Sequence, residues 1–331
     1  MEPFRAYRLT EADQTVRARF VECTLDDLDP GDVVVRVAYS DVNYKDALAA
    51  TGKGRILRRP SCIGGIDLAG TVVSSTNPSF VKGDEVCAAG FELGVAHDGG
   101  YAQYARVPGE WLTKLPQDLS LWEAMALGTA GFTAGMAIVR MEENGLETGA
   151  GPVIVSGATG GVGSIAVAAL AKLGYHVVAL TGKPQEADWL HRLGAKEVMH
   201  RSSLDLTTIR PLGKSTWAGA VDTLGGEVLA WMASTMKIRG VIASMGLAQS
   251  ANLHTTVLPF ILRGVSLLGI NSSDSATPAM RATVWRRLAT DLKPPLLDQM
   301  CRTIPFAELP GVFDDFIQAR IARRVVVDVN R

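Results

Sequence analysis

The amino-acid sequence predicts an α/β protein of two domains, in which a small barrel-like β domain precedes a doubly wound parallel sheet flanked by helices. Three observations predict this. At 331 residues the chain is too long for one compact core and fits two domains of ordinary size. Short strand-like segments separated by turn residues fill roughly the first 125 residues. From about Trp122 onward, apolar strands alternate with helical segments.

The first part is composed mainly of strands. The segments that are rich in β-branched and aromatic residues are residues 33–39, 66–73, 85–89 and 101–107. Turn sequences such as Pro30-Gly31-Asp32 and Asp98-Gly99-Gly100 separate them. This spacing suggests a small barrel, interrupted by one helix that begins near Asn43.

The second part has the alternating pattern of a parallel sheet. Its predicted strands are residues 153–156, 176–180, 197–200, 218–222 and 240–244, with helices over residues 162–173 and through Trp189. The strand-like tail, residues 324–329, is expected to return to the first domain. The predicted domains are therefore residues 1–125 together with 298–331, and residues 126–297.

Composition narrows the class of protein. Hydrophobic residues make up 47% and charged residues 20%, which favours a packed core over disorder. The net charge of -1 argues against nucleic acid or an anionic membrane as the main partner. Residues 1–10 alternate charged and apolar side chains instead of forming a leader, and the apolar runs fall short of the roughly 20 residues of a membrane span. Four cysteines without paired spacing fit reduced thiols, so we expect a cytoplasmic enzyme.

A glycine-rich turn, residues 156–163 (Ser-Gly-Ala-Thr-Gly-Gly-Val-Gly), separates a predicted strand from a predicted helix. Such glycines let a pyrophosphate approach the main chain, and the helix N-terminus offers its unpaired N–H groups. The alternative is a glycine-rich helix start used for packing only. Four glycines in seven residues would destabilise the start of a helix that served packing only. The strand–turn–helix context therefore predicts a dinucleotide-binding Rossmann domain.

The end of the second strand of this domain predicts which dinucleotide binds. NAD-specific sites place a carboxylate there, whereas this chain has Thr181-Gly182-Lys183. A hydroxyl, a flexible glycine and an ammonium suit a 2′-phosphate, and Arg201 after the third strand could supply a second cation. Both cations could instead be ordinary solvated charges. Their placement at strand ends predicts NADPH.

A β-rich front domain joined to a Rossmann domain resembles the medium-chain dehydrogenases and reductases, many of which carry catalytic zinc. Where the zinc enzymes have a ligand cysteine and a Gly-His-Glu sequence, this chain has residues 40–46 (Ser-Asp-Val-Asn-Tyr-Lys-Asp) and Gly65-Ile66-Asp67. Cys62, Cys87 and His97 could meet, but isolated cysteines are more often small core hydrophobes. We therefore predict no metal.

The predicted lack of a Lewis acid favours one kind of reduction. An unactivated ketone is then hard to reduce, whereas hydride addition to a conjugated C=C bond is easier because the carbonyl absorbs the charge as an enolate. The protein mainly positions the nicotinamide against the β-carbon and supplies hydrogen-bond donors and a proton.

Seven motifs carry a closer resemblance, which covers nearly the whole chain. They are Asn43-Tyr44-Lys45-Asp46-Ala47-Leu48, Thr51-Gly52-Lys53-Gly54, Gly65-Ile66-Asp67, Gly128-Thr129-Ala130-Gly131-Phe132-Thr133, Gly160-Gly161-Val162-Gly163-Ser164, Trp217-Ala218-Gly219-Ala220-Val221-Asp222 and Leu258-Pro259-Phe260-Ile261-Leu262-Arg263-Gly264. Together they resemble the acrylyl-CoA reductase branch of the zinc-independent, quinone-oxidoreductase-like reductases of the medium-chain superfamily.

The resemblance implies a GroES-like β-barrel catalytic domain before the Rossmann domain, and metal-free reduction of acrylyl-CoA to propanoyl-CoA by NADPH. The cofactor contacts that it implies are Tyr44, Thr159, Gly160, Gly161, Val162, Thr181, Gly182, Lys183, Arg201, Leu247, Ile261, Ser272 and Arg324. Two positions depart from the family pattern. Asn271 stands where an aspartate is usual, and Arg323 stands where a glycine is usual.

Three residues at the predicted helix start are candidates for catalysis. The Tyr44 phenol could donate to an enolate oxygen or relay a proton, or it could be a half-buried aromatic residue. Asn43 could hold a carbonyl oxygen or cap the helix. Asp46 could orient Tyr44 or Lys45 instead of doing chemistry.

A basic loop follows this helix. Lys53, Arg55, Arg58 and Arg59 put four positive charges into seven residues. Coenzyme A carries a diphosphate and a 3′-phosphate, which such a loop could bind at a pocket mouth. A solvated loop is the alternative.

The predicted function is NADPH-dependent reduction of a short 2-enoyl-CoA thioester. One alternative is an NADPH:quinone oxidoreductase. An alternative of another class is a catalytically inactive nucleotide-binding subunit, which the presence of Asn43, Tyr44 and Asp46 disfavours. The apolar strand over residues 265–270 could pair across a two-fold axis, so we expect a homodimer.

Overall fold

A computed structural model of the protein describes residues 2–12, 15–321 and 323–331 and divides the chain into two compact units, Met1–Thr129 with Leu297–Arg331, and Ala130–Leu296. The strands are β1 (Phe4–Ala12), β2 (Thr15–Cys23), β3 (Val33–Val42), β4 (Ser61–Ile63), β5 (Asp67–Ser75), β6 (Glu85–Ala89), β7 (Tyr104–Val107), β8 (Thr113–Lys114), β9 (Val153–Val155), β10 (Val177–Thr181), β11 (Glu197–His200), β12 (Trp217–Asp222), β13 (Met236–Ser244), β14 (Ser266–Gly269), β15 (Cys301–Pro305) and β16 (Arg324–Asp328). The helices are α1 (Tyr44–Thr51), α2 (Leu121–Glu143), α3 (Gly161–Lys172), α4 (Ala187–Arg192), α5 (Gly226–Thr235), α6 (Leu258–Arg263), α7 (Pro278–Ala289) and α8 (Leu309–Ile317).

The first unit opens with a hairpin that the sequence analysis did not predict. β1 pairs antiparallel with β2, and β4 adds to the other edge of β1. The alternation of charged and apolar residues near the N-terminus is the period of a strand: Phe4 and Ala6 are buried while Arg5 between them is exposed. The alternation of charged and apolar residues, which argued against a leader sequence, is therefore the pattern of a β-strand.

The larger sheet of the first unit has, among the described residues, seven strands in the order β15-β16-β3-β5-β6-β8, with β7 also pairing with β3. β16 runs antiparallel to β3, with Val326 opposite Asp41, so the tail returns to this unit as predicted. Helix α8 lies only a few residues before β16. The apolar face of β3, with Val33, Val35 and Val37, is fully buried in the core.

The second unit contains the predicted doubly wound sheet. Its order is β11-β10-β9-β12-β13-β14, and every neighbouring pair is parallel. The winding reverses between β9 and β12, which places the carboxyl ends of these two strands at the switch point where such sheets bind ligands. α3, between β9 and β10, is buried along most of its length because parallel strands need a covering helix.

Helix α2 corrects the expectation that apolar segments are too short to span a membrane. Among the described helices it alone is long and apolar enough, at 23 residues, and 89% of its most apolar window is buried inside the protein. Gly128 interrupts its helical backbone with φ 50° and ψ -155°. A buried, interrupted helix of this kind is typical of a protein core.

Candidate functional site

The glycine-rich turn has the local structure that the sequence predicts. β9 ends at Val155, Gly157 adopts a positive φ of 56°, and α3 begins directly after Gly160. A Cβ on Gly163 would lie 2.3 Å from the Gly157 carbonyl oxygen, so only glycine lets the helix pack this closely on the turn. The first N–H groups of α3 follow the turn, which is the arrangement that receives a phosphate.

A buried carboxylate that the sequence analysis missed holds this turn in place. Asp222, at the end of β12, accepts a 3.0 Å hydrogen bond from the Ser156 hydroxyl and others from the Leu224 and Gly225 backbone N–H groups. The Ser244 hydroxyl, at the end of β13, donates to its other oxygen at 3.2 Å. Burial raises the pKa of Asp222 above its ordinary value. One side chain thus ties together the carboxyl ends of β9, β12 and β13.

The carboxyl end of β10 brings together the residues predicted to select NADPH. The buried Thr181 hydroxyl accepts the Lys183 backbone N–H at 3.0 Å. Thr181 is opposite His200 in the parallel register of β10 and β11, which places Arg201 beside Gly182. A Cβ on Gly182 would lie 3.8 Å from the Arg201 guanidinium carbon. Lys183 and Arg201 therefore follow two adjacent strand ends.

The remaining implied cofactor residues of the second unit differ in exposure. Leu247 and Ile261 are 68% and 70% exposed, which is high for apolar side chains. Ser272 is buried, and its hydroxyl lies 2.7 Å from that of Thr133. Asn271 uses its side-chain oxygen to accept two backbone N–H groups of the following turn, a role that the usual aspartate could also fill.

In the first unit, Asn43 and Asp46 form a capping box at the start of α1. The Asp46 carboxylate accepts the backbone N–H of Asn43 at 2.9 Å and that of Ile66 at 3.0 Å. Burial raises the pKa of Asp46 to about 7, against the lowering effect of these two donors. Asp46 therefore anchors the helix start, and Tyr44, 55% exposed, is the most exposed of these three residues.

The Asn43 side chain is held by two carboxylates that the sequence analysis did not single out. Its amide nitrogen donates to Asp41 Oδ1 and to Asp67 Oδ2, both at 2.8 Å. Both amide hydrogens are thereby used inside the first unit. Asn43 occupies the N-cap position of α1. A role as donor to a substrate carbonyl would require breaking one of these two bonds.

The two carboxylates have further partners. Asp67 accepts the backbone N–H of Thr129 at 2.8 Å and its hydroxyl at 2.6 Å. Asp41 accepts a hydrogen bond from the Arg324 guanidinium, whose Nε also donates to the Ala126 carbonyl at 2.6 Å. Arg324, implied by resemblance as a cofactor contact, is thus buried in a network within its own unit. Asp41 could have been recognised in the sequence, because it is a charged residue near the end of a predicted apolar strand.

The four cations of the basic loop are not equivalent. Lys53 pairs with Asp314 at 3.5 Å, Arg58 pairs with Glu92 at 2.8 Å, and Arg59 pairs with Asp29. Arg55 is exposed and forms no ion pair with any residue that the structure describes. It lines a groove of about 450 Å³ together with Glu11, Leu57, Arg58, Arg59 and Pro60. Arg55 therefore differs from the other three cations in having no ion pair with a described residue.

Two of the possible metal ligands, Cys62 and His97, have other partners in the structure. Cys62 and His97 are neighbours, but the Cys62 thiol donates to the His97 carbonyl and burial raises its pKa. Both ring nitrogens of His97 lie 3.0 Å from backbone carbonyl oxygens. Within residues 2–12, 15–321 and 323–331, no three His, Cys, Asp or Glu side chains are grouped so as to hold a metal ion.

A strand-rich first unit, a doubly wound second unit and a dinucleotide turn at its switch point define a medium-chain dehydrogenase/reductase. Comparison with protein families agrees: residues 29–117 match the alcohol dehydrogenase GroES-like domain, and residues 161–290 match the zinc-binding dehydrogenase family.

Two curated relatives are similar over almost the whole chain. The "Putative quinone oxidoreductase YhfP" of Bacillus subtilis is 48% identical over 98% of both chains. The acrylyl-CoA reductase AcuI of Ruegeria pomeroyi is 45% identical over 97% of both chains. The protein belongs to the branch of the medium-chain superfamily that contains AcuI and YhfP, as the seven motifs predicted.

Two solved structures have the same fold. Escherichia coli YhdH with bound NADPH is 44% identical, with a TM-score of 0.94 over 98% of this chain and 100% of that one. Bacillus subtilis YhfP with NAD bound is 47% identical, with a TM-score of 0.97 over 99% of this chain and 100% of that one. The combination of a GroES-like domain and a Rossmann sheet is therefore confirmed.

The pKa of Asp46 makes a prediction about stability. Because this pKa rises from 3.8 in the unfolded chain to about 7, the stabilisation from the bound proton is complete below about pH 4 and is lost as the pH rises to about 7. Relative to Asp46→Asn, which cannot ionise, the unfolding free energy of the wild type should fall over this range by at most about 1.4 kcal/mol per pH unit. Urea denaturation at several pH values measures the difference.

The exposed Asp26→Asn serves as the matched control for this measurement, and its curve should run parallel to that of the wild type. A curve for Asp46→Asn that is also parallel to the wild type would show that Asp46 titrates normally.

Proposed function

We propose that this protein is an NADPH-dependent reductase of the C=C bond of short 2-enoyl-CoA thioesters, with conversion of acrylyl-CoA to propanoyl-CoA as the leading reaction. The observation that carries the substrate class is the near full-length similarity to an acrylyl-CoA reductase. When bound, NADPH supplies a hydride to the β-carbon of the enoyl group. The thioester carbonyl takes up the charge as an enolate, and the α-carbon then gains a proton.

The carboxyl end of β10 supports NADPH as the cofactor. Two cations, Lys183 and Arg201, stand at adjacent strand ends where an NAD-specific site would hold a carboxylate. A 2′-phosphate is a dianion that a guanidinium binds through two parallel hydrogen bonds. The solved structure of YhfP contains NAD, so NADPH and NADH need to be compared directly as cofactors of this protein.

Replacing both cations, Lys183→Ala with Arg201→Ala, should raise the KM for NADPH at least tenfold while leaving the KM for NADH within about twofold, because only NADPH carries the 2′-phosphate. Initial-rate kinetics with each cofactor measure this. Lys196→Ala, an exposed lysine just before β11, is the matched control and should change neither constant. Equal effects on NADPH and NADH would contradict the assignment.

Tyr44 is the proposed catalytic residue that meets the substrate. It is exposed, whereas Asn43 and Asp46 are engaged in fixing the helix start on which it lies. A phenol can donate a hydrogen bond to an enolate oxygen or pass on a proton. Asn43 and Asp46 then contribute by holding Tyr44 in position.

Oxidation of NADPH should proceed with acrylyl-CoA, more slowly with crotonyl-CoA, and more slowly still with a simple quinone, because a thioester carbonyl must stabilise the enolate. A stopped-flow or spectrophotometric assay with the three acceptors side by side measures this. Tyr44→Phe should lower kcat for acrylyl-CoA by about 10²-fold if the phenol donates in the transition state. Turnover of the quinone with neither thioester reduced would favour the alternative, an NADPH:quinone oxidoreductase, which the name of YhfP supports.

Arg55 is proposed to bind the nucleotide end of coenzyme A. It lies just beyond the C-terminal end of α1, and Tyr44 lies at the other end of this helix, which is about 12 Å long. A site that binds the thioester near Tyr44 and the phosphates near Arg55 would therefore lie along one helix.

Arg55→Ala should raise the KM for acrylyl-CoA about tenfold without changing the KM for acrylyl-pantetheine, which lacks the nucleotide. Arg17→Ala, an exposed arginine of β2, is the matched control. If both thioesters responded equally, Arg55 would have no role in phosphate binding.

A homodimer is proposed through the edge of the second unit's sheet. β14 is the last strand of the described sheet, and Leu267 on it is 37% exposed, while Ile261 and Leu262 nearby are 70% and 61% exposed. An exposed apolar edge strand is normally covered by a partner strand. We also propose a cytoplasmic location, which the four free thiols support and cell fractionation would test.

Leu267→Lys should shift the protein from dimer to monomer in sedimentation-velocity experiments, because a charge would be buried against its symmetry mate. Val81→Lys, in the first unit and 61% exposed, is the control and should leave the dimer intact. A wild type that sediments as a monomer would overturn this interface.

A further inference from the structure

Four charged side chains are buried together in the first unit. Asp41 and Asp67 are 0% exposed, Asp46 is 3% exposed, and Arg324 is 6% exposed. They come from β3, β5, α1 and β16, and the Tyr101 hydroxyl donates to the Asp41 carbonyl at 2.9 Å. Three acidic groups thus face one cation, and an uncompensated buried charge is costly.

The backbone at Gly128 shows how tightly this group is packed. A Cβ there would lie 2.0 Å from Asp41 Oδ2 and 2.9 Å from Asp67 Oδ2, so one small space is bordered by both carboxylates. The φ and ψ of Gly128, 50° and -155°, belong to a region used almost only by glycine. The helix is therefore interrupted at the point where its backbone meets the acidic pair.

The two carboxyl groups are close together, because the Asn43 amide nitrogen lies 2.8 Å from one oxygen of each. Burial, followed by the negative charge of Asp67, raises the pKa of Asp41 well above its ordinary value despite Arg324. Asp67 accepts three hydrogen bonds, two from Thr129 and one from Asn43. One proton between two acids leaves a single negative charge opposite one guanidinium.

We propose that Asp41 is a positioning residue of the reductase site: it shares one proton with Asp67, and the pair, anchored by Arg324, fixes the Asn43 carboxamide and with it the start of α1 that carries Tyr44. The expected effect of Asp41 on catalysis rests on the proposed function. The arrangement of the cluster itself is seen within the first unit alone. Each Asn43 amide hydrogen has one acid as acceptor, so the geometry at the helix start depends on both acids.

An exchange of side chains tests this directly. The Asn43 amide and the Arg324 guanidinium each donate to a different oxygen of Asp41. Asp41→Asn keeps only one acceptor oxygen, so its NH₂ group must face one of these two donors. Asn43→Asp places a third acid beside the other two. The double variant Asp41→Asn with Asn43→Asp returns one amide and two acids to the cluster, and aspartate is as good an N-cap as asparagine.

We expect Asp41→Asn to lower kcat for acrylyl-CoA at least tenfold while the Kd for NADPH, measured by fluorescence, stays within threefold. The double variant should recover at least half of the loss on a logarithmic scale. Asp26→Asn, an exposed aspartate of the same unit, should match the wild type. A kcat for Asp41→Asn within twofold of the wild type would overturn the proposal, as would a double variant no better than the single one.

Infrared spectroscopy of protein labelled with ¹³C-aspartate tests the shared proton without turnover. At pH 9, Asp46 with its pKa of about 7 is ionised, so a remaining carboxylic acid C=O band that is lost in Asp41→Asn belongs to the pair. This band should persist in Asp26→Asn. A wild type without such a band, or an Asp41→Asn spectrum that keeps it, would overturn the proposal even if the enzyme proved to reduce quinones instead of thioesters.

Discussion

Buried aspartates at strand ends hold the functional segments of both units. In the first unit, Asp67 and Asp41 receive the hydrogen bonds of Thr129, Asn43 and Arg324. In the second unit, Asp222 receives those of the segments that end β9 and β13. A carboxylate can accept several hydrogen bonds at once, so one buried acid can fix segments that are distant in sequence. The cost of burying each acid is offset only when nearly all of its oxygen lone pairs have donors.

The buried aspartates hold different kinds of segment in the two units. Asp222 binds the first residue of the glycine-rich turn through the Ser156 hydroxyl, and α3 begins after the last residues of that turn. The first-unit cluster instead holds a neutral amide, Asn43, and leaves an aromatic hydroxyl, Tyr44, in solvent. A phosphate site needs exposed backbone donors, whereas an acid–base site needs a side chain of fixed orientation.

The residues at the sequence positions of the zinc ligands belong to the buried cluster of the first unit. Where the zinc enzymes have a cysteine and a histidine, this chain has residues 40–46 and Gly65-Ile66-Asp67. These two segments contribute Asp41, Asn43 and Asp67, which are joined by hydrogen bonds to one another and to Arg324. The Arg324 guanidinium donates to Asp41 and to the Ala126 carbonyl. These contacts support the positioning role proposed for Asp41.

The sequence alone determined the strands from β9 to β13, the glycine-rich turn with helix α3 after it, and the cation-bearing end of β10, because these features depend on local periodicity and on residues close together in the chain. It did not predict α5, α6 or α7. It missed the N-terminal hairpin, whose alternation was given another interpretation, and it treated the four cations of the basic loop as equivalent. Only the tertiary structure showed that three of these cations form ion pairs with acids distant in sequence, whereas Arg55 forms none with a described residue. Only the tertiary structure brought Asp41, Asp67 and Arg324 around Asn43, since residues 283 positions apart, such as Arg324 and Asp41, meet through sheet pairing that no local pattern encodes.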